Sequence, residues 1–115
     1  MKEIKTYTVQ IWCGLKEHYD GQIHSIEEAE TICQKYVNFI GLCVTITSTK
    51  YIYTDGNETG FVIGLIAYPR FPKEPEEILK NAFELGKILM SELRQYRITI
   101  TTPEKSYMLE NENIK

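Results

Sequence analysis

The order in which hydrophobic periodicity changes along the chain constrains the fold more than any other feature of the sequence. Segments with apolar residues at alternate positions, typical of strands, are interleaved with segments whose apolar residues recur every three to four positions, typical of helices. In chain order these patterns predict a strand over 4–15, a helix over 26–40, strands over 42–53 and 61–68, a helix over 75–95, a strand over 96–102 and a short strand over 107–109.

Local signals mark the ends of these segments. Ser25 and Glu28 form a capping box, in which each side chain satisfies the backbone amide of the other residue. Gly41 predicts the left-handed residue that ends the first helix, and Pro75 suits the first turn of the second. The polar stretch 54–60, which contains Asp55-Gly56, predicts the turn between the second and third strands.

The element order β-α-β-β-α-β is that of the ferredoxin-like, or split βαβ, plan. Right-handed crossovers place both helices on one face of an antiparallel sheet, with the first and third strands at its centre. The third strand is apolar at nearly every position, which agrees with a central place. The sequence therefore predicts one α+β domain over residues 1–110, with an extra C-terminal strand and a polar tail over 111–115.

Composition excludes several classes of protein. The formal net charge is −3 and no segment is strongly basic, which argues against duplex nucleic acid as a partner. No run of about 18 apolar residues predicts a membrane span, and the N-terminus has no secretory leader pattern. The three cysteines have no CxxC spacing and lie in apolar patterns, so we expect reduced thiols in a cytoplasmic protein.

One face of the predicted sheet carries no helix, and it is too apolar for a solvated surface. By strand parity this face holds Trp12, a series of threonines and large apolar residues of the third strand. Exposed apolar patches of this kind mark interaction surfaces. We therefore expect a homodimer or a higher homo-oligomer.

The most specific local feature is the rigid segment 68–72, which precedes the second helix. It holds Arg70 between the aromatic residues Tyr68 and Phe71 and is stiffened by Pro69 and Pro72. A guanidinium beside the amides of a helix start suits phosphate or carboxylate, and aromatic rings can stack on a base. The alternative is a structural loop, in which Phe71 packs on the core and Arg70 forms a salt bridge.

Other residues complete the candidate ligand site. Arg97 at the start of the fourth strand and Lys16 at the end of the first would add positive charge, and Trp12 offers a further stacking surface. We predict that Arg70 and Arg97 pair with phosphate while Tyr68, Phe71 or Trp12 stacks on a base. The sequence leaves open whether the two arginines share one pocket.

Catalytic and metal signatures are weak. Nucleotide-loop, hydrolase and zinc-protease motifs are absent, and we predict neither a cofactor nor catalytic residues. His18 and His24, with Asp20 between them, could suggest a metal site, but a zinc site wants at least three ligands at recognisable spacing. We therefore favour loop histidines exposed to water.

The β-α-β-β-α-β-β plan, the Gly41-Leu42-Cys43-Val44-Thr45 junction and the 68–72 segment resemble small phage and prophage proteins. In size and layout the chain is similar to phage anti-defence sponges. That resemblance implies an oligomer that sequesters a small signalling nucleotide without cleaving it. It aligns no motif, so it assigns no functional residue.

Three functions remain open from the sequence. The first, which we favour, is a non-catalytic oligomeric protein that sequesters a small anionic signalling nucleotide. The second is a small-nucleotide phosphodiesterase with His18 or His24 as general base and Arg70 stabilising the transition state. The third is a protein-interaction module that uses its open sheet face.

Overall fold

The computed structural model describes residues 1–17, 21–70 and 72–113, and it confirms the α+β fold. A five-stranded antiparallel sheet has the order β2-β3-β1-β4-β5, so that the third and first strands lie inside it as predicted. The elements are β1 (Thr8–Gly14), α1 (Ile26–Ile40), β2 (Val44–Tyr53), β3 (Gly56–Ile66), α2 (Pro75–Glu92), β4 (Arg97–Thr101) and β5 (Ser106–Glu110).

The core lies between the sheet and the two helices. Alternate residues of β1, namely Val9, Ile11 and Cys13, are buried on the helix-covered face. They meet apolar residues of α2 such as Leu85 and Leu89, which are fully buried. Full burial of each such side chain stabilises the fold by about 1.5–3 kcal/mol. This packing fixes which face of each strand points away from the helices.

The helix ends follow the local signals. Both hydrogen bonds of the capping box at Ser25 and Glu28 are present, and Gly41 adopts φ 80° directly after α1. The second helix begins at Pro75 but ends at Glu92, earlier than the predicted end near Gln95. Arg94 has φ 50°, which lies outside the helical region, and this turns the chain into β4.

The predicted turn over 54–60 is wrong in extent. Tyr53 pairs with Gly56, so only two residues, Thr54 and Asp55, connect β2 to β3. Asp55 has φ 61°, a conformation that aspartate tolerates in tight hairpins. Residues 56–60 look like a turn because they are polar, but they extend the third strand, and this brings Glu58 into the sheet.

The sheet face opposite the helices is open. It carries Trp12 beside Val62 and Thr99, as strand parity predicted. Trp12 is half-buried, and its indole Nε1 donates a hydrogen bond to Thr101 Oγ1 at 3.0 Å. In the described part of the chain, neither helix has both the length and the apolarity required to cross a bilayer. The three cysteines are free thiols.

Asn111, which follows β5, packs against the domain. Asn111, which falls in the predicted tail, is buried. Its Nδ2 donates hydrogen bonds to Gln95 O at 3.2 Å and to Met90 O at 3.5 Å. The side chain therefore ties the end of β5 to the connection between α2 and β4.

Candidate functional site

The antiparallel register separates the predicted site residues between two ends of the sheet. Thr8 pairs with Ile66 at one end of β1, and Gly14 pairs with Gly60 at the other. Tyr68 and Arg70 follow the first of these ends, whereas Lys16 and Arg97 lie at the second. Seven strand residues separate the ends, about 20 Å. Within one chain, Arg70 and Arg97 therefore do not share a pocket.

At the end of the sheet where Tyr68 and Arg70 lie, the surroundings differ from those of the predicted ligand site. Burial, followed by the effect of the Cys43 thiol, which shares a hydrogen bond with the phenol, raises the pKa of Tyr68. Arg70 is exposed, and Phe71 lies outside the described residues. A cavity of about 640 Å³ lies near this end, lined by Tyr7, Lys73 and neighbouring residues, but neither Tyr68 nor Arg70 contributes to it.

A cavity of about 390 Å³ lies where β1 ends and where β3 and β4 are close to their starts. Its charged lining combines Lys16 and Arg97, which the sequence had singled out, with Glu17 and Glu58, which it had not. A correctly placed hairpin turn was the signal that could have found Glu58. With the turn at 54–55, Gly60 pairs with Gly14 on the open face. Glu58 comes two residues before Gly60 in β3, so it lies on the same face.

Two paired glycines, Gly14 and Gly60, lie where β1 reaches this end of the sheet. A Cβ at Gly60 would collide with the ring of Tyr51, so only glycine lets that ring lie flat across the strands. The Tyr51 hydroxyl lies 3.1 Å from Cys13 O and 3.1 Å from Phe61 O, to which it donates. Burial raises the pKa of Tyr51 to about 12, so the phenol stays neutral and serves as a support.

Gln95, in the connection between α2 and β4, also lines the cavity. Its side chain is buried, and its Nε2 donates to Lys16 O at 3.0 Å and to Leu93 O at 2.9 Å. The Oε1 atom lies 2.9 Å from the position that a Cβ of Gly14 would occupy. A Glu58 carboxylate oxygen lies 3.4 Å from that same position. An amide oxygen and a carboxylate oxygen therefore border one small space above Gly14.

Arg97 is held at the edge of the cavity by two neighbours. Its guanidinium carbon lies 4.6 Å from the centroid of the Tyr96 ring, in a cation–π stack. Its Nε lies 3.6 Å from Glu110 Oε2, and the side chain is about half exposed. Tyr96 and Tyr53 both line the cavity and add aromatic surface to it. The guanidinium is thus oriented but still accessible to an anionic group.

Glu17 also lines the cavity, but two neighbouring side chains balance its negative charge. One carboxylate oxygen lies 2.6 Å from His24 Nε2, and the other accepts a hydrogen bond from Arg94 Nε at 3.0 Å. His24 Nδ1 lies 2.7 Å from Glu28 Oε2. Both ring nitrogens of His24 therefore face carboxylates, and only the doubly protonated imidazolium can donate to both.

His24 is consequently not the water-exposed loop histidine that the sequence suggested. Burial opposes its protonation, but the hydrogen bonds to Glu28 and Glu17 outweigh that cost, and the pKa of His24 is raised. In the described ranges, no group of three or more His, Cys, Asp or Glu side chains is arranged so that it could hold a metal ion. His18 and Asp20 lie outside the described residues.

The cavity therefore has a mixed electrostatic character. Among the described residues, Glu58 is the acidic lining residue without an ion pair, Lys16 and Arg97 are the positively charged ones, and Tyr53 and Tyr96 add aromatic surface. Such a lining suits a ligand that carries both charges and a planar ring, better than it suits a polyphosphate, which Glu58 would repel.

Comparison with known proteins supplies a fold relationship. No family model matches the chain, and no curated protein matches it significantly. A solved phage SAM lyase in complex with S-methyl-5'-thioadenosine has the same fold, with a TM-score of 0.82 and 16% identity, over 100% of this chain and 98% of that chain. A phage SAM lyase in its apo state matches with a TM-score of 0.75 and 16% identity, over 97% and 96% of the two chains.

These neighbours correct the functional prediction. The expectation of a non-catalytic sponge is contradicted, because both matching structures are of lyases, which are enzymes. The resemblance to phage proteins is supported at the coarser level, since both neighbours are phage proteins. The neighbour in complex holds a small nucleoside, which agrees in class with the predicted small nucleotide-like ligand.

Proposed function

We propose that this chain is a lyase that cleaves S-adenosylmethionine, or a closely related sulfonium nucleoside, and releases methylthioadenosine. The observation that carries the proposal is the match over nearly the full length of both chains to a lyase that holds this nucleoside. The mixed-charge cavity at the end of β1 supports it independently, because the substrate is itself of mixed charge.

The charges of the substrate complement those of the cavity. S-adenosylmethionine has a sulfonium, an ammonium, a carboxylate and an adenine ring. In our proposal Arg97 and Lys16 bind the carboxylate, Glu58 faces the positive groups, and Tyr53 or Tyr96 stacks on the adenine. Arg97 and Lys16 thus keep the role of anion binding that the sequence suggested. Our proposal gives no role in this site to Tyr68, Arg70 or Trp12, and Phe71 lies outside the described residues.

The chemistry needs no water, oxidant or cofactor. When the bond between the sulfur and the Cγ of the amino-acid part breaks, sulfur keeps the electron pair and becomes a neutral thioether. The remaining fragment either loses a proton from its β-carbon to form an alkene or closes onto its own carboxylate to form a lactone. Glu58 would accept the proton in the first case and hold the ammonium in the second, so that the carboxylate is aligned for attack.

We also propose that the active form is a homo-oligomer formed through the open sheet face. Glu58 and Arg97 project on the side of the sheet that carries Trp12, so a second copy packed there would lie beside the cavity and exclude water from it. A phage origin and action in the host cytoplasm belong to the same proposal, because the two neighbours are phage proteins and the substrate is cytoplasmic.

The test is direct incubation of the purified protein with S-adenosylmethionine, followed by chromatography and NMR of the products. We expect methylthioadenosine to accumulate well above the level in a heat-denatured control. The amino-acid product, a lactone or an unsaturated amino acid, identifies the route. Recovery of intact substrate after prolonged incubation with a folded protein would overturn the proposal.

A further inference from the structure

Gln95 holds a neutral oxygen rigidly in the cavity. Its Nε2 donates to the carbonyl oxygens of Lys16 and Leu93, and because carbonyl oxygens can only accept, the amide has one possible orientation. The residue is only 6% exposed. Within the described residues no hydrogen bond reaches Oε1, so this oxygen is presented to the cavity with its acceptor capacity unused.

The oxygen of Gln95 and the carboxylate of Glu58 border the same space above Gly14. The distances to the Cβ position of that glycine are 2.9 Å for Gln95 Oε1 and 3.4 Å for Glu58 Oε1. Both oxygens are acceptors that face this space, and a donor or a positive centre placed there makes a favourable contact with each of them. Two such oxygens together select for positive charge in a ligand.

A sulfonium substrate and its thioether product differ in the charge on sulfur. The substrate sulfur is positive, and its attached methyl and methylene groups are polarised towards oxygen. The product sulfur is neutral and presents lone pairs, which an oxygen at this position repels. A fixed oxygen beside the sulfur therefore favours the substrate and disfavours the product.

We propose that Gln95 is a specificity-determining residue, whose Oε1 contacts the positively charged centre of the substrate and discriminates it from the neutral thioether left after cleavage. This inference rests on the proposed lyase function and goes beyond it, since it assigns the discrimination of charge to an uncharged side chain. Glu58 attracts any cation that enters, whereas Gln95 acts only over the short range set by its two hydrogen bonds.

The test compares two non-reacting analogues by calorimetry. Sinefungin carries a protonated amine at the sulfonium position, and S-adenosylhomocysteine carries a neutral sulfur there. We expect the wild-type protein to bind sinefungin more tightly. In Gln95→Met this preference falls about tenfold, the effect of losing one charge-assisted contact, while affinity for S-adenosylhomocysteine stays within about twofold. Loss of packing alone would weaken both analogues equally and would overturn the inference.

A second variant tests the same inference if Gln95→Met does not fold. Gln95→Met leaves two carbonyl groups without their donor, so Gly14→Ala is made in parallel. The new Cβ lies 2.9 Å from Gln95 Oε1 and displaces this oxygen without removing the amide donors. We expect the same loss of preference. Gln34→Met, at an exposed position on α1, is the matched control and keeps the wild-type ratio.

The outcomes separate this inference from the proposed function. A wild-type protein that cleaves S-adenosylmethionine, but whose preference survives in both cavity variants, overturns the role of Gln95 and leaves the lyase proposal intact. Preference for sinefungin that depends on Gln95, in a protein that never releases methylthioadenosine, supports the recognition role and overturns the lyase proposal. Failure of the wild-type protein to bind either analogue overturns the inference.

Discussion

At the scale of single residues, the cavity depends on how its charges are distributed among partners. Glu17 and Glu58 both line it, but Glu17 is bound by His24 and Arg94, whereas Glu58 borders the free space above Gly14. A carboxylate with two charged partners supports structure, and one that faces a cavity is available to a ligand. This difference makes Glu58 the carboxylate that would act in the proposed reaction, as the proton acceptor or as the partner of the ammonium.

We expect Glu58→Gln to lower kcat/KM for S-adenosylmethionine by at least about a hundredfold, because the amide neither accepts a proton nor attracts the positive substrate. The side chain is partly exposed and packs little, so Tm should change by less than about 2 °C. Product formation by chromatography and thermal denaturation measure the two effects. Equal activity of the variant and the wild type would remove Glu58 from the mechanism.

Arg97→Met tests the recognition of the substrate carboxylate. We expect affinity for S-adenosylhomocysteine, which has the carboxylate, to fall about tenfold or more, because a charge-assisted hydrogen bond is lost. Methylthioadenosine lacks that group, and its affinity should stay within about twofold. Calorimetry with both ligands gives the comparison, and Lys105→Met, at an exposed turn, is the control. A parallel loss for both ligands would contradict the assignment.

At the scale of elements, His24 links the segment that follows β1 to the start of α1. His24 N donates to Leu15 O at 2.8 Å, and its ring joins Glu17, on this segment, to Glu28, in the first turn of α1. Arg94, just after α2, completes the set of charged groups around Glu17. One imidazolium thus couples the wall of the cavity to a helix start.

This coupling predicts a dependence of stability on pH. The pKa of His24 is raised in the folded protein, so its contribution is complete below the ordinary value of 6.5 and is lost as pH rises through the higher folded value. Urea denaturation between pH 5.5 and 9 should show the free energy of unfolding falling over this range. His24→Gln should cost about 2 kcal/mol at pH 6 and flatten the fall. An unchanged slope would contradict the imidazolium assignment.

At the scale of the whole molecule, the sheet leaves one face without a cover. Val62, beside Trp12 in the register, lies on this face, where a monomer would expose it to water. We expect Val62→Glu to convert an oligomer into a monomer, because association would bury a charge. Light scattering after size exclusion measures the mass, with Lys35→Glu on the exposed side of α1 as control. A monomeric wild-type protein would contradict the proposed oligomer.

The sequence anticipated the architecture better than the site. Helix ends at Ser25 and Gly41 are encoded by neighbouring residues, so they could be predicted locally. The start of β3 could not, because residues 56–60 are polar and gain their strand conformation by pairing with β2. The error in that turn concealed Glu58, and the segment around Arg70 drew attention to the end of the sheet opposite the proposed site.

The sequence by itself therefore determined the order of the elements, the two layers and the open face, because hydrophobic periodicity and capping act over a few residues. Only the tertiary structure decided which charged groups meet. Lys16, Glu58 and the pair Gln95 and Arg97 come from three parts of the chain, and the antiparallel register brings them to one end of the sheet. It likewise determined that His24 is buried between two carboxylates, since its partners are not apparent from its neighbours in the sequence.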